Sequence, residues 1–364
     1  MPIRQNLSAI ARQGRNLFLA CDEGASVERL TRTSPGRYER HQRFDLAPLL
    51  DLPFTEPEDN EVDIEGLDVS GGYLWLTGSH SLKRKKPKGQ SPAKDIERLA
   101  SVNADGNRFT LARIPLAEDN AGDHTLVARS GKLRAERLDG DERGNLLVDA
   151  LRDDAHIGPF VPRPVKPGSK TSIIGIPSKE NGLDIEGLAV FDSRVFLGMR
   201  GPVLSGWAVV LELRVSSSVS AGVLELKPKN GALYRKHFLQ LDGLGVRELT
   251  FDGEDLLVLA GPTMDLDGPV AVYRWPGALG SKGDTLNPRA GLQRVLDVPF
   301  GVASDHAEGI MVVSEPGATP TEVCLVFDSP AKSRLVDQFG VRADVFALAT
   351  ADLGAQAKAE RSNA

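Results

Sequence analysis

The sequence predicts an all-β fold, a six-bladed β-propeller that residues 1–364 form as one domain. A strand–turn–strand unit recurs along the chain, its copies are spaced by about sixty residues, and helix-length amphipathic patterns are few. Repeats of this length that consist of short strands stack radially, so that each sheet buries both faces against its neighbours. We therefore expect any functional site at one mouth of the central channel.

The repeat is clearest in three places. Residues 63–67 read Asp-Ile-Glu-Gly-Leu and precede a glycine turn and a second apolar strand. Residues 184–188 repeat the same five letters before a turn at Asp192. Residues 246–249 read Val-Arg-Glu-Leu and lead through a turn at Asp252 and Gly253 into another apolar strand. Each copy is typical of two antiparallel strands joined by a tight turn.

Three weaker copies complete the predicted set. One begins at Leu7, one is degenerate and begins at Ala135, with residues 145–148 as its second strand, and one begins at Asp305. The equivalent positions then mark blades that start near Ser8, Glu65, Glu136, Glu186, Glu248 and Glu308.

Composition restricts the classes of partner. The net charge of −6 argues against a general affinity for nucleic acid or anionic membranes, because both need a basic face. The N-terminal segment lacks the apolar core of a signal peptide, and no apolar run is long enough to span a membrane. We therefore expect a soluble, cytoplasmic protein in which Cys21 and Cys324 stay reduced within apolar strands.

The recurring glutamates carry the main functional prediction. Each stands where an inner strand begins, so that the glutamates should ring one mouth of the channel. Carboxylates are hard oxygen ligands, and the sequence therefore predicts a divalent-cation site, with Ca²⁺ favoured over Mg²⁺ or Mn²⁺. The predicted metal ligands are Glu65, Glu186, Glu248 and Glu308. In the alternative interpretation each glutamate accepts backbone N–H groups from the neighbouring blade and locks the ring.

Two further residues are candidates for catalysis at this mouth. Arg200 follows a second strand and could hold a carboxylate or phosphate group, or it could instead pair with Glu186 or Asp184. His80 could move protons or ligate a metal, or be an ordinary surface residue. A basic run at residues 83–88 could gather an anionic substrate, although such runs are usually solvated loops.

The segments 177–189 and 198–203, which contain Asp-Ile-Glu-Gly-Leu-Ala and Gly-Met-Arg-Gly-Pro-Val, resemble a bacterial family of uncharacterised propeller-like proteins. The chain is more distantly similar to calcium-dependent propeller lactonases and to esterase-like phytase relatives. In the lactonases a Glu-Gly pair at an inner-strand start supplies a metal ligand. The pairs at Glu65, Glu186 and Glu308 match it, so that this resemblance implies a metal-bound hydrolase.

Two hypotheses follow from the sequence. In the first, the chain is a metal-dependent hydrolase of a small anionic ester, lactone or phosphoester, with Arg200 and His80 orienting substrate or moving protons. In the second, it is a non-catalytic propeller that binds a small ligand or a protein partner at the same mouth. A bound metal with an open coordination position would favour the first.

Overall fold

The fold consists mostly of antiparallel β-sheets. The computed structural model describes residues 3–56, 61–104, 107–165, 173–315 and 317–349. Blade 1 contains β1 (Leu7–Gln13), β2 (Asn16–Cys21), β3 (Ser26–Ser34) and β4 (Arg37–Asp45), paired in that order. Blade 2 begins with β5 (Ile64–Ser70) and β6 (Tyr73–Gly78). An insertion with β7 (Lys83–Arg84), helix α1 (Pro92–Leu99) and β8 (Val102–Asn103) precedes its third strand, β9 (Leu111–Glu118), and β10 (His124–Leu126).

Short elements connect blade 2 to blade 3. They are β11 (Arg129–Ser130), β12 (Leu133–Arg134), β13 (Glu136–Leu138), β14 (Gly140–Asp141), β15 (Gly144–Asn145), helix α2 (Leu146–Leu151), β16 (Arg163–Pro164) and β17 (Ile173–Ile174). Blade 3 follows as β18 (Asp184–Phe191), β19 (Arg194–Gly201), β20 (Ala208–Ser217), β21 (Val223–Leu226) and β22 (Tyr234–Leu239).

The last two blades complete the fold. Blade 4 contains β23 (Gly245–Asp252), β24 (Asp255–Gly261), β25 (Val270–Trp275) and β27 (Gln293–Val298), while β26 (Thr285–Asn287) pairs with β22 of blade 3. Blade 5 contains β28 (His306–Val312), β29 (Glu322–Asp328) and β32 (Asp344–Ala347), with the small hairpin β30 (Leu335–Val336) and β31 (Gly340–Val341) between the last two. Single 3₁₀ turns lie at Ile3–Gln5, Gly158–Phe160, Ser178–Glu180, Ala278–Gly280, Arg289–Gly291 and Lys332–Arg334.

The first strands of the five blades form a closed ring, as in a β-propeller. Strand β5 packs against β1 and β18, β23 packs against β18 and β28, and β28 returns to β1. A separate apolar cluster fills each of the five interfaces between neighbouring blades. For example, Leu7 and Ile10 of blade 1 meet Met311 and Val326 of blade 5. Six blades are therefore not confirmed, because the described residues close the ring with five.

The predicted blade at Glu136 is the one that the structure replaces. Strand β13, which carries Glu136, lies at the outer side of blade 2, where it pairs with β9, and it extends that sheet to β21 of blade 3. The expected second strand is helix α2. The Asn145 side chain caps this helix by accepting hydrogen bonds from the backbone N–H groups of Leu147 and Val148, each at 3.0 Å. The apolar residues that follow Asn145 therefore form a helix and not the expected strand.

Every inner strand carries a β-bulge at the same point, one residue after its first paired apolar residue. The bulged residues are Ser8, Glu65, Glu186, Arg247 and Glu308. A bulge places two residues of one strand opposite a single residue of its partner and re-aims the bulged side chain. The repeat therefore encodes a backbone feature that presents one side chain per blade at the start of the inner strand.

The glycine after three of these bulges lets neighbouring inner strands approach each other. A Cβ atom on Gly66 would lie 2.6 Å from Leu188 Cβ and 3.0 Å from the Glu186 carbonyl oxygen in blade 3. A Cβ on Gly187 would lie 2.8 Å from Leu249 Cγ in blade 4. The Glu-Gly pair thus has a packing explanation that is independent of any ligand.

In the part of the chain that the structure describes, no helix is long and apolar enough to cross a membrane. Both cysteines are buried free thiols. Burial raises the thiol pKa of each cysteine to about 12, and the charges of Asp22 near Cys21 and of Asp344 near Cys324 act in the same direction.

Candidate functional site

An acid-rich group of side chains lies at the end of the channel where the inner strands begin. We define the mouth cluster as eight acids and three arginines, which are Asp22, Glu61, Asp63, Glu65, Asp184, Glu186, Glu308, Asp328, Arg108, Arg200 and Arg247. Three of the five bulged residues are glutamates and one is Arg247. The structure therefore brings Glu65, Glu186 and Glu308 together, as the sequence predicts, and adds arginines among them.

Glu186 lies at the centre of an ion-pair network that joins three blades. Its Oε1 atom is 2.8 Å from Nη1 of Arg200, and its Oε2 atom is 3.3 Å from Nη1 of Arg247. The same nitrogen of Arg247 is 2.8 Å from Oε1 of Glu308 in blade 5. Arg200 also lies 3.9 Å from Asp184. These contacts correspond to the alternative that the sequence left open for Arg200, in which its guanidinium pairs with Glu186 and Asp184 of its own blade.

Arg108 forms a second ion-pair network that the sequence did not indicate. Its guanidinium contacts Asp63 and lies 2.7 Å from Oε1 of Glu61. It also donates to the Oγ atoms of Ser79 and Ser81, at 3.3 and 3.4 Å. Arg108 follows the insertion in blade 2, so that it has no counterpart in the repeat and only the fold places it here.

Glu65 differs from the other bulged acids because its carboxylate has no hydrogen-bond or ion-pair partner among the described residues. Its side chain remains partly accessible. Burial raises its pKa well above the usual range, and the charges of Asp63, Glu186, Glu308 and Asp184 raise it further. Glu65 is therefore the bulged acid that has no ion-pair partner among the described residues, although the charge of Arg108 acts on it at longer range.

Burial also raises the pKa of other acids in the cluster. Burial raises the pKa of Asp184 to about 8, with a further increase from the charge of Glu186. Burial also raises the pKa of Glu308 to about 8, although Arg247 acts in the opposite direction. Asp22, buried beside Asp63 and Asp328, has a pKa of about 7, and its Oδ1 atom is buried without a hydrogen-bond partner in the described part of the chain. The cluster thus carries more carboxylates than its arginines neutralise.

Glu248 occupies the position after the bulge, so that its side chain does not join the mouth cluster. It is fully buried, and its Oε1 atom accepts hydrogen bonds from the backbone N–H groups of Leu188 and Leu249, at 2.7 and 2.9 Å. Asp68 makes the corresponding contact with the N–H of Val190, at 2.6 Å. Glu248 therefore matches the alternative interpretation, in which an acid locks neighbouring blades together.

His80 is also fully buried rather than exposed at the mouth. Its Nδ1 atom is 2.8 Å from the Gly78 carbonyl oxygen, so that this nitrogen donates, and its Nε2 atom accepts from Nδ2 of Asn145 at 2.8 Å. Burial lowers its pKa to about 4. Both nitrogens are engaged and the ring stays neutral, so that His80 is not placed to transfer protons at the mouth.

The basic run at residues 83–88 lies beside the same mouth and contacts other blades. Arg84 pairs with Glu180 through a hydrogen bond of 2.8 Å from Nη2, and Nζ of Lys86 lies 2.9 Å from Oδ2 of Asp265, in the loop after β24. Lys86 and Asp265 are both largely exposed. The contact between Lys86 and Asp265 therefore connects part of the insertion in blade 2 to blade 4.

The donor set of the mouth cluster suits a hard cation, since it consists of carboxylate oxygens and includes the unpartnered Glu65 and the orphaned Oδ1 of Asp22. Among the described residues, no three His, Cys, Asp or Glu side chains already stand in a metal-binding arrangement. The cluster as it stands is thus an acid–arginine network with spare carboxylates.

Solved structures with similar chain paths include the PQQ-bound aldose sugar dehydrogenase of Streptomyces coelicolor. It shares 11% identity over 96% of this chain and 97% of its own, with a TM-score of 0.39. A streptogramin B lyase shares 8% identity over 90% and 92% of the two chains, with a TM-score of 0.32. Scores this low carry no argument about activity. No curated protein matches the sequence. A family model described as "Protein of unknown function (DUF3616)" matches residues 6–344, and the chain belongs to that family.

Proposed function

We propose that the protein binds a cation at the mouth of its channel, with a divalent metal ion as the first candidate and Ca²⁺ the most favoured. The observation that carries this proposal is the unpartnered carboxylate of Glu65 within a cluster of eight acids and three arginines. Carboxylates in this situation repel one another, and a bound cation relieves that repulsion. Glu65 and Asp22 are the proposed ligands, because neither has an arginine partner among the described residues.

The charge balance also distinguishes the two functions that the sequence left open. An anionic ester needs positive charge to hold it, yet Arg108, Arg200 and Arg247 are each paired with two acids. Hydrolysis of such a substrate would therefore depend on a bound cation for both charge and an activated water. We accordingly propose cation binding as the function, and hydrolysis only as a consequence of it.

Calorimetry on chelator-treated protein at pH 8 tests the proposal. We expect wild type to bind Ca²⁺, Mg²⁺ or Mn²⁺, and Glu65→Gln to weaken binding at least about tenfold, since each carboxylate ligand adds to affinity. Glu254→Gln is the matched control. Glu254 is exposed in the turn between β23 and β24, at the opposite end of blade 4, and it should bind as wild type does.

Proton release gives a second measurement from the same titration. A cation that binds to carboxylates with a pKa of about 7 or 8 displaces their protons below that pH. The apparent heat at pH 6.5 should then change with the ionisation enthalpy of the buffer. Absence of binding by all three cations would leave a propeller whose mouth is only an internal ion-pair network, and the proposal would be wrong.

A further inference from the structure

A second charged surface lies at the other end of blade 3. We define the outer basic patch as Arg194, Arg214, Lys227, Lys229 and Arg235, which lie at the start of β19, near the end of β20, in the connection between β21 and β22, and at the start of β22. We propose that this patch binds a phosphate or similar oxyanion group carried by a larger ligand. The proposed site is independent of the mouth cluster, because the antiparallel strands place the two at opposite ends of the blade.

Backbone pairing brings these cations together. Arg194 stands directly opposite Arg214 in the β19–β20 pair, where like charges destabilise a sheet. The backbone N–H of Lys227 donates to the Arg214 carbonyl oxygen at 2.7 Å. Lys229 begins a two-residue turn in which Asn230 and Gly231 have φ of 54° and 82°, a conformation that suits this Asn-Gly pair. Strands β19, β20 and β22 thus supply the three arginines of the patch, and the hydrogen-bonded connection between β21 and β22 supplies the two lysines.

The acids within this surface do not balance its charge. Glu212 is shared by Arg194 at 2.9 Å, Arg235 at 3.3 Å and His237 at 3.3 Å. Glu225 pairs with Lys227 at 2.9 Å. Within the described ranges, Arg214 and Lys229 have no ion-pair partner. Two cations thus remain free in a protein whose net charge is −6.

Two buried donors reinforce this conclusion. The Nε atom of Arg214 and the Nη2 atom of Arg194 are buried, and neither has a hydrogen-bond partner among the described protein atoms. A buried guanidinium donor without an acceptor is costly. An oxyanion at the crevice that Arg214 lines would supply an acceptor oxygen to its Nε atom. The charges of Arg214 and Arg235 also lower the pKa of Lys229, the response expected where positive charge is in excess.

The shape of the patch indicates what kind of ligand it can take. The crevice between Arg214, Lys229 and Arg235 encloses only about 10 Å³, roughly the space of one water molecule. Such a crevice cannot enclose a metabolite, but it can receive the terminal oxygens of a group that projects from a larger molecule. Phosphate suits this donor set, because the arginine fork binds it through two parallel hydrogen bonds and lysine binds it as a point charge.

Binding of pyrophosphate, measured by calorimetry at low salt, tests this inference. Arg214→Ala/Lys229→Ala removes two charges that form no ion pair among the described residues, so that no buried carboxylate loses a partner. We expect it to fold as wild type does, by circular dichroism, and to bind pyrophosphate at least about tenfold more weakly, because it loses two charge-assisted contacts. The matched control is Lys83→Ala/Lys85→Ala, which removes two exposed charges from the basic run beside the mouth.

The control variant should bind pyrophosphate within about twofold of wild type. Equal weakening in both double variants would show that only net charge matters, and unchanged binding in Arg214→Ala/Lys229→Ala would place the anion elsewhere. Either result overturns the proposal. A single-stranded oligodeoxynucleotide is the second probe. Tighter binding of that probe, lost in the same double variant, would replace the oxyanion-group assignment with a nucleic-acid surface.

Discussion

The substitution Arg247→Met is the sharpest test of how the mouth cluster is held together. Arg247 has a side chain that is 9% exposed, and it lies between Glu186 and Glu308, whose side chains are 4% and 17% exposed. Methionine keeps much of the side-chain length but removes the charge. Both carboxylates would then lose a partner in a poorly solvated position, while Glu186 would retain Arg200. Removing one member of a buried ion pair costs about 3–5 kcal/mol.

Urea denaturation at pH 9, above the pKa of about 8 of Glu308, measures this cost when tryptophan fluorescence follows the unfolding. If the slope is near 3 kcal/mol per molar urea, the midpoint should fall by about 1 M or more. Arg43→Met is the matched control, since Arg43 pairs with Asp45 at 2.8 Å but both side chains are about 60% exposed. Exposed pairs contribute about 1 kcal/mol or less.

A second variant keeps the test informative if Arg247→Met does not fold. Arg247→Met/Glu308→Gln removes the uncompensated charge as well, and it should recover more than half of the lost stability. A cost for Arg247→Met no greater than that for Arg43→Met would refute the reasoning, as would failure of Glu308→Gln to restore any stability. Either outcome would mean that water, rather than Arg247, solvates these acids.

Three further predictions concern packing, thiols and pH. Gly66→Ala should destabilise the protein by about 1–3 kcal/mol, because its Cβ would press on β18, whereas Gly291→Ala meets nothing within 4 Å and should be nearly neutral in the same urea assay. Cys21 and Cys324 should react with a disulfide reagent only after denaturation, since burial raises their pKa to about 12, and intact mass without reductant should show no disulfide. The raised pKa values of Asp184 and Glu308, about 8, mean that the folded state binds their protons more tightly than the unfolded state, so that the melting temperature should fall between pH 5 and 8 and level off above it. A melting temperature that rises through this window would contradict the charge excess at the mouth.

The mouth of the channel was predictable from the sequence because the repeated residues coincide with the β-bulge at the start of each inner strand. Glu65, Glu186 and Glu308 each precede a glycine, and these pairs mark the bulge and the close approach of inner strands. In blade 4 the pattern shifts by one residue. Val246 corresponds to Ile64, so that Arg247 takes the bulge and Glu248 the following position. Matching glutamate to glutamate therefore assigned the wrong side chain to the ring, since one residue reverses the face of a strand.

The spurious repeat at Glu136 has a different cause. Its letters resemble a strand–turn–strand unit, and residues 146–148 are as apolar as a buried strand. A short apolar run does not distinguish a strand from a buried helix. Two contacts stabilise the structure that replaces the expected blade. The side chain of Asn145 caps helix α2, and Glu136 pairs at 2.6 Å with Arg113 on the adjacent strand β9. Neither contact has a signature in the spacing of the repeat.

The chemistry of the mouth depends on side chains that the repeat does not specify. The fold offers five equivalent bulges, and a ring of identical acids there would concentrate like charges that repel one another. The chain instead places serine at one bulge and Arg247 at another, and it brings Arg200 from a second strand and Arg108 from an insertion. These arginines form ion pairs with Asp63, Asp184, Glu186 and Glu308, whereas Glu65 and Asp22 have no arginine within ion-pair distance among the described residues. A network built only for stability would gain from neutralising these remaining carboxylates, so their lack of a paired cation is the reason to seek a bound metal ion there.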